Sequence, residues 1–167
     1  KPDDTVVVRI ARSEMGQGTL TGLAQLVAEE LDCDWARVTT EYPTPGQNLA
    51  RQRIWGNFST GGSRGIRESH EYVRKGGAAA RMMLVQAAAA AWEVDPSECR
   101  VEGGRVLNAD GDALTYGAVA EAASMLPVPK DVPLKSPDAF KLVGTPARRT
   151  DSPGKVDGSA QFGIDVR

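Results

Sequence analysis

The chain has 167 residues, 41% of them apolar and 25% charged, with a formal net charge of −2. That length suits one ordinary domain, or one domain and a fragment of another, and the apolar share excludes a disordered chain. Lys and Arg are interspersed with Asp and Glu, so the basic footprint of a nucleic-acid binder is absent.

Cys33 and Cys99 lie far apart, form no CxxC pair and, with His70 as the sole histidine, make no zinc or iron–sulfur ligand set. Free buried thiols are expected. The apolar stretch 82–92 is too short to cross a bilayer and is interrupted by Gln86. No signal peptide is expected at the start. The chain opens on Lys1-Pro2, inside what reads as a strand, which predicts an excised piece of a larger polypeptide that continues beyond Arg167.

Residues 5–11 alternate and are rich in valine, the pattern of a strand. Ser13-Glu14-Met15-Gly16-Gln17-Gly18 follows, a turn whose glycines permit close backbone approach. Gln17 between them can both donate and accept. Leu20, Leu23, Ala24, Val27 and Leu31 then recur at helical spacing, predicting a helix over 19–31 with Glu29 and Glu30 off the apolar face as a solvated pair. Residues 32–36 read as a turn and 37–42 as a second strand.

Residues 43–53 crowd Pro, Gly, Gln and Asn and predict a loop. Residues 54–58 read as a short extended piece with aromatic anchors. A second glycine-rich turn, Ser59-Thr60-Gly61-Gly62-Ser63-Arg64-Gly65, opens a long helix over 63–92. Gly76-Gly77 and the alanines of 87–91 predict a close-packed face on that helix, and Met82-Met83-Leu84 read as core. Trp35, Trp55 and Trp92 are expected as core or rim anchors.

A hairpin is expected from 99–102 and 105–107 around Gly103-Gly104, then a turn at 108–112. Thr115 is placed to cap a short helix over 116–125. Residues 126–137 carry four prolines and read as a semi-rigid linker. Arg148-Arg149 reads as a surface pair, 148–158 as turn-rich, and 160–166 as a last strand. The fold class expected is α+β, helices packed on a mixed or antiparallel sheet. The divisions are 1–125, a Pro-rich linker 126–140, and 141–167, with residues after about 140 peripheral.

Two glycine-rich turns that each open a helix can converge on one anionic ligand, held by backbone N–H groups and hydroxyls. Neither turn has Walker A or dinucleotide-binding spacing. Packing alone is the rival account, that of a stand-alone binding or assembly module with structural glycine turns.

Ser13 to Gly18 with Ala28-Glu29-Glu30-Leu31 resembles the molybdopterin-binding subunit of the xanthine dehydrogenase/aldehyde oxidase family. Ser59 to Ser63 resembles that family's second cofactor loop. Lys155-Val156-Asp157-Gly158-Ser159-Ala160-Gln161-Phe162 resembles the segment that opens its "hammerhead" domain. That segment follows the first loop here, the order of the branch typified by the isoquinoline 1-oxidoreductase β-subunit.

The resemblance implies a molybdopterin cofactor with molybdenum, often the cytosine dinucleotide form in bacterial members. It implies that Gln17 sits near a molybdenum oxo group, with Gly16 and Gly18 allowing close approach. Gly61, Gly62 and Ser63, with Thr60 beside them, would contact the cofactor at the head of the long helix. The implied reaction hydroxylates an aldehyde or N-heterocycle carbon with oxygen from water. A glutamate acts as general base, and electrons leave through iron–sulfur clusters on a partner subunit. The Gly-Glu-Pro motif that carries this glutamate does not occur here, so no catalytic residue and no metal ligand is assigned, and the chain alone is expected to be inactive. Expected partners are an iron–sulfur small subunit, the remainder of its own large subunit and a small aldehyde or heterocycle. Both cytoplasm and periplasm stay open.

Overall fold

The computed structural model describes residues 1–166. Residue 167, which closes the last stretch read from the sequence, lies outside the described residues. Valines build β1 (Val6–Arg9), which pairs in parallel with β2 (Val38–Glu41), Val6 opposite Val38 and Arg9 opposite Glu41. Parallel neighbours require a crossover, and α1 (Thr19–Leu31) supplies it. Its ends match the apolar spacing.

Chain 43–53 is not a simple loop. It contains α2 (Pro45–Ala50), started by Pro45 and by a capping box in which Thr44 and Gln47 bond each other's backbone. Residues 54–57 are turn rather than extended strand, and Phe58 after them lies in the left-handed region at φ 56°.

Helix α3 (Arg64–Trp92) spans 29 residues, roughly 44 Å by the rise of an α-helix. Gly65 lies against Thr19, Gly22 against the tip of Ile66, and Gly77 against the Val27 carbonyl. Low numbers meet low and high meet high, so α1 and α3 run in the same direction. Three glycines on this seam let the two backbones approach where a Cβ would intrude.

The antiparallel sheet of β3 (Arg100–Glu102), β4 (Arg105–Leu107) and β5 (Ala113–Thr115) adds a third strand to the expected hairpin. Thr115 caps α4 (Tyr116–Ser124) by accepting the Ala118 N–H at 3.2 Å. Val8, Ile10, Leu20, Leu23, Leu26 and Val38 form one core cluster. Leu31, Ala87, Ala88, Val106, Tyr116 and Val119 form a second. Val6 and Cys33 pack against both and join them. The architecture is α+β, as expected. Cys33 and Cys99 are free thiols, each half-buried, and burial pushes the Cys33 thiol up to about 12.

Three expectations fail after residue 125. Leu142 and Val143 pack against the first core, so the chain beyond residue 140 is not wholly peripheral. A helix, α5 (Ser152–Asp157), forms where turns were expected. Residues 160–166 form no strand, because Phe162, Ile164 and Val166 stand exposed with no neighbouring strand among the described residues to accept them.

Glu29 and Glu30 overturn the solvated-face reading, being 2% and 0% exposed. Glu30 is three residues from Val27 and seven from Leu23, on the apolar stripe itself. Their charges are matched by chain far downstream. Glu29 Oε2 accepts the N–H groups of Lys141, Leu142 and Val143 at 3.0, 2.7 and 3.0 Å, and Lys135 Nζ reaches Oε1 at 3.1 Å. Glu30 accepts Arg74 Nε at 2.8 Å and the Lys135 N–H at 3.1 Å. Burial alone would raise the Glu29 carboxyl, but these donors outweigh it and hold it below the ordinary range.

Candidate functional site

Parallel packing of α1 and α3 brings two helix N-termini, and therefore two positive dipole ends, to the same end of the molecule. A groove of about 410 Å³ opens there. Met15, Gln17 and Thr19 line one side. Thr60, Gly61, Gly62 and Ser63 line the other, with Arg64 at the rim. The structure thus joins five of the residues singled out in the sequence: Gln17, Thr60, Gly61, Gly62 and Ser63.

Gly16 and Gly18 do not line the groove. Their N–H groups both donate to Glu14 Oε1 at 2.8 Å, and the Leu20 N–H donates to Glu14 Oε2 at 3.0 Å. One internal carboxylate therefore satisfies the start of α1, the place where a helix otherwise offers itself to an external anion. Both glycines are left-handed, φ 98° and 82°, the conformation that turns these N–H groups inward. Burial would raise the Glu14 carboxyl, but the N–H donors of Gly18, Leu20 and Gly16 together with Arg149 leave it lowered. The Gln17 amide braces the same turn, accepting the Met15 N–H at 2.5 Å and donating to the Ser13 carbonyl at 2.9 Å. An amide nitrogen carries two hydrogens, so Nε2 keeps a second donor.

The second turn is arranged differently. Ser63 is the N-cap of α3 yet its side chain makes no capping bond, and it sits left-handed at φ 53° beside Gly62 at φ 59°. A serine in that region costs of order 1 kcal/mol, and here the usual reward of a cap is absent. The Arg64 N–H donates to the Gly61 carbonyl at 3.2 Å, and the start of α3 has no capping bond from the Ser63 side chain. Arginines surround the turn: Arg12 donates to the Ser59 carbonyl, and Arg64 and Arg67 reach the carbonyls of Gly61 at 3.3 Å and Gly62 at 3.4 Å. Thr60 ties the two turns together by accepting the Ser13 N–H at 2.8 Å.

This donor set suits an anion: uncapped N–H groups, a free serine hydroxyl and nearby guanidinium groups, with no carboxylate on the groove wall. Among the described residues the groove lining holds no carboxylate, imidazole, amine or thiol, so its hydroxyls have no general base on the wall. Sequence reading missed the role of Glu14, although a carboxylate two and four residues ahead of two turn glycines was visible. It also missed Arg149, read as surface, whose partners lie 133 and 135 residues away. No local pattern could have found that contact.

Residues 1–166 match the family described as a molybdopterin cofactor-binding domain. The chain is 30% identical over 172 residues to a membrane-bound aldehyde dehydrogenase (pyrroloquinoline-quinone) of Gluconacetobacter polyoxogenes, covering 99% of this chain and 21% of that protein. It is 31% identical to the β-subunit of an isoquinoline 1-oxidoreductase from Brevundimonas diminuta, covering 92% of this chain and 24% of that one. With one of the subunits of a nicotinate dehydrogenase from Pseudomonas putida the identity is 32%, covering 92% of this chain and 13% of that protein. The chain therefore spans a quarter or less of the length of these relatives.

Proposed function

The chain belongs to the family of molybdopterin cofactor-binding domains, and from that premise we propose that the groove between the 13–18 and 59–63 turns is its contact surface for the cofactor. The observation that carries the reading is the N-terminus of α3, strained at Ser63 and left without a side-chain cap at a groove that both turns line. When bound, molybdopterin supplies a redox-active molybdenum that serves oxygen transfer from water to carbon.

The chain's own residues would bind and orient. N–H groups at the head of α3 and the Ser63 hydroxyl would hold an anionic group of the cofactor such as its phosphate, favoured by the helix dipole. The second Nε2 hydrogen of Gln17 is the donor available from the opposite wall. Glu14 is unsuited to general-base work, since its oxygens already accept N–H groups and its carboxyl is lowered. The base, and with it turnover, is proposed to come from elsewhere in the full-length protein, so this chain alone would be inactive. The substrate class proposed is an aldehyde or an N-heterocycle, in keeping with the names of the relatives. A cytosine dinucleotide form of the cofactor and an iron–sulfur subunit as electron acceptor complete the proposal.

The test is molybdenum and pterin content of the full-length protein, co-expressed with an iron–sulfur partner, beside Gly61→Asp and Gln17→Ala. A Cβ at Gly61 meets nothing within 4 Å, so the aspartate keeps the fold while placing a like charge on the groove wall. A loss of pterin of about tenfold is expected, in line with the cost of like-charge juxtaposition. Gln17→Ala should lower activity or cofactor content. Folded wild-type protein with neither molybdenum nor pterin, where a relative is loaded, would sink the proposal.

A further inference from the structure

Arg149 reaches back across the chain to the first glycine turn. Its Nη1 donates to the Gly16 carbonyl at 3.2 Å and its Nη2 to Glu14 Oε1 at 3.2 Å. The same guanidinium grips Asp151 in a two-pronged pair, Nε to Oδ1 and Nη2 to Oδ2, both at 2.8 Å. Lys155 Nζ lies 2.5 Å from Asp151 Oδ2. The backbone on either side is fastened to the α1 unit. Trp35 Nε1 donates to the Arg148 carbonyl at 3.2 Å, and the Thr150 N–H donates to buried Thr21 Oγ1 at 3.1 Å. The arginine is thus delivered on a tethered segment, its fork already set by Asp151.

We propose that Arg149 is a positioning residue that holds the 13–18 turn in the conformation presenting Gln17 to the groove. The inference rests on the cofactor reading of that groove. The Gly16 carbonyl and the Gln17 N–H share one rigid peptide plane, so pinning the carbonyl fixes the direction in which Gln17 leaves the turn. Glu14 takes the Gly16 and Gly18 N–H groups and Gln17 spans Met15 and Ser13, but the bond to the Gly16 carbonyl comes from Arg149. A planar guanidinium can bond Asp151, Glu14 and a carbonyl at once, whereas a lysine ammonium is a point charge on a flexible stem.

Arg149→Ala and Arg149→Lys in the full-length protein, with its iron–sulfur partner, test this by two readouts: pterin content, and hydrogen–deuterium exchange of peptides covering 13–20 and 64–92. Arg149→Ala is expected to raise exchange over 13–20, leave 64–92 unchanged, and lower bound pterin about tenfold, the order expected for losing a charge-assisted pair. Arg149→Lys should lie between alanine and wild type in both. Wild-type exchange and wild-type pterin in Arg149→Ala would overturn the inference. So would exchange that rises equally over 64–92, since the arginine would then merely hold the fold. Should wild-type protein itself lack pterin, the cofactor reading fails by itself, and the local exchange over 13–20 still decides whether Arg149 sets the turn.

Discussion

Glu14 accepts N–H groups at the N-end of α1, where the helix dipole favours a carboxylate, whereas Glu29 and Glu30 lie at its C-end, where the dipole opposes them. The second placement needs more help and has it in the Lys135 ammonium, the Arg74 guanidinium and the N–H groups of Lys135 and 141–143. Among the described residues no buried side-chain polar atom lacks a partner. Arg74 is the most constrained of these partners, bonded to Glu30 and to the Lys135 carbonyl at 2.6 Å, with its guanidinium 5.1 Å from the Phe140 ring centre. Arg74→Met should therefore cost roughly 3 kcal/mol by stranding a fully buried carboxylate, read from urea unfolding. Adding Glu30→Gln should recover part of that loss. Additive single effects in the double-mutant cycle would show that the pair is not coupled.

Helices α1 and α3 meet on a seam where one glycine is required and its neighbour is not. A Cβ on Gly77 would stand 2.4 Å from the Val27 carbonyl oxygen, a backbone atom that cannot swing away. Gly76 faces open space. Gly77→Ala should destabilise by about 2 kcal/mol, the range of overpacked cores. Gly76→Ala should stabilise by about 1 kcal/mol through helix propensity alone. Urea midpoints of the two variants moving in the same direction would contradict the seam. The seam also matters for the site, since it sets the parallel arrangement that brings both helix N-termini to one groove.

Stability of the molecule depends on carboxylates at both ends of α1. Burial opposes ionisation of Glu14, Glu29 and Asp32, yet their donors leave all three lowered in the folded protein. A carboxylate lowered on folding contributes stability that is fully present above its unfolded value, and loses it as pH falls through the folded one. Melting temperature should thus be flat from about pH 7 to 5 and fall below about pH 4, where unfolded carboxylates begin to take protons. Glu29→Gln should melt lower at neutral pH and show a shallower acid limb. An unchanged acid limb would remove Glu29 from this account. The strap at 135–143 ought to loosen with the same pH dependence, since three of its N–H groups end on that carboxylate.

Local order was legible from the chain itself. Apolar spacing marked α1 from Thr19 to Leu31, glycine and serine marked both turns, and Thr115 marked the start of α4. These features depend on contacts within a few residues, which composition and periodicity encode. The 160–166 segment misled because alternation identifies a strand only if a neighbouring strand exists to pair with it. Tertiary structure alone decided the rest. It placed Glu29 and Glu30 inside, turned the Gly16 and Gly18 N–H groups onto Glu14, left the head of α3 uncapped, and brought Arg149 to the first turn. Each depends on which distant group arrives to satisfy a charge or fill a space, and spacing along a chain carries no record of that.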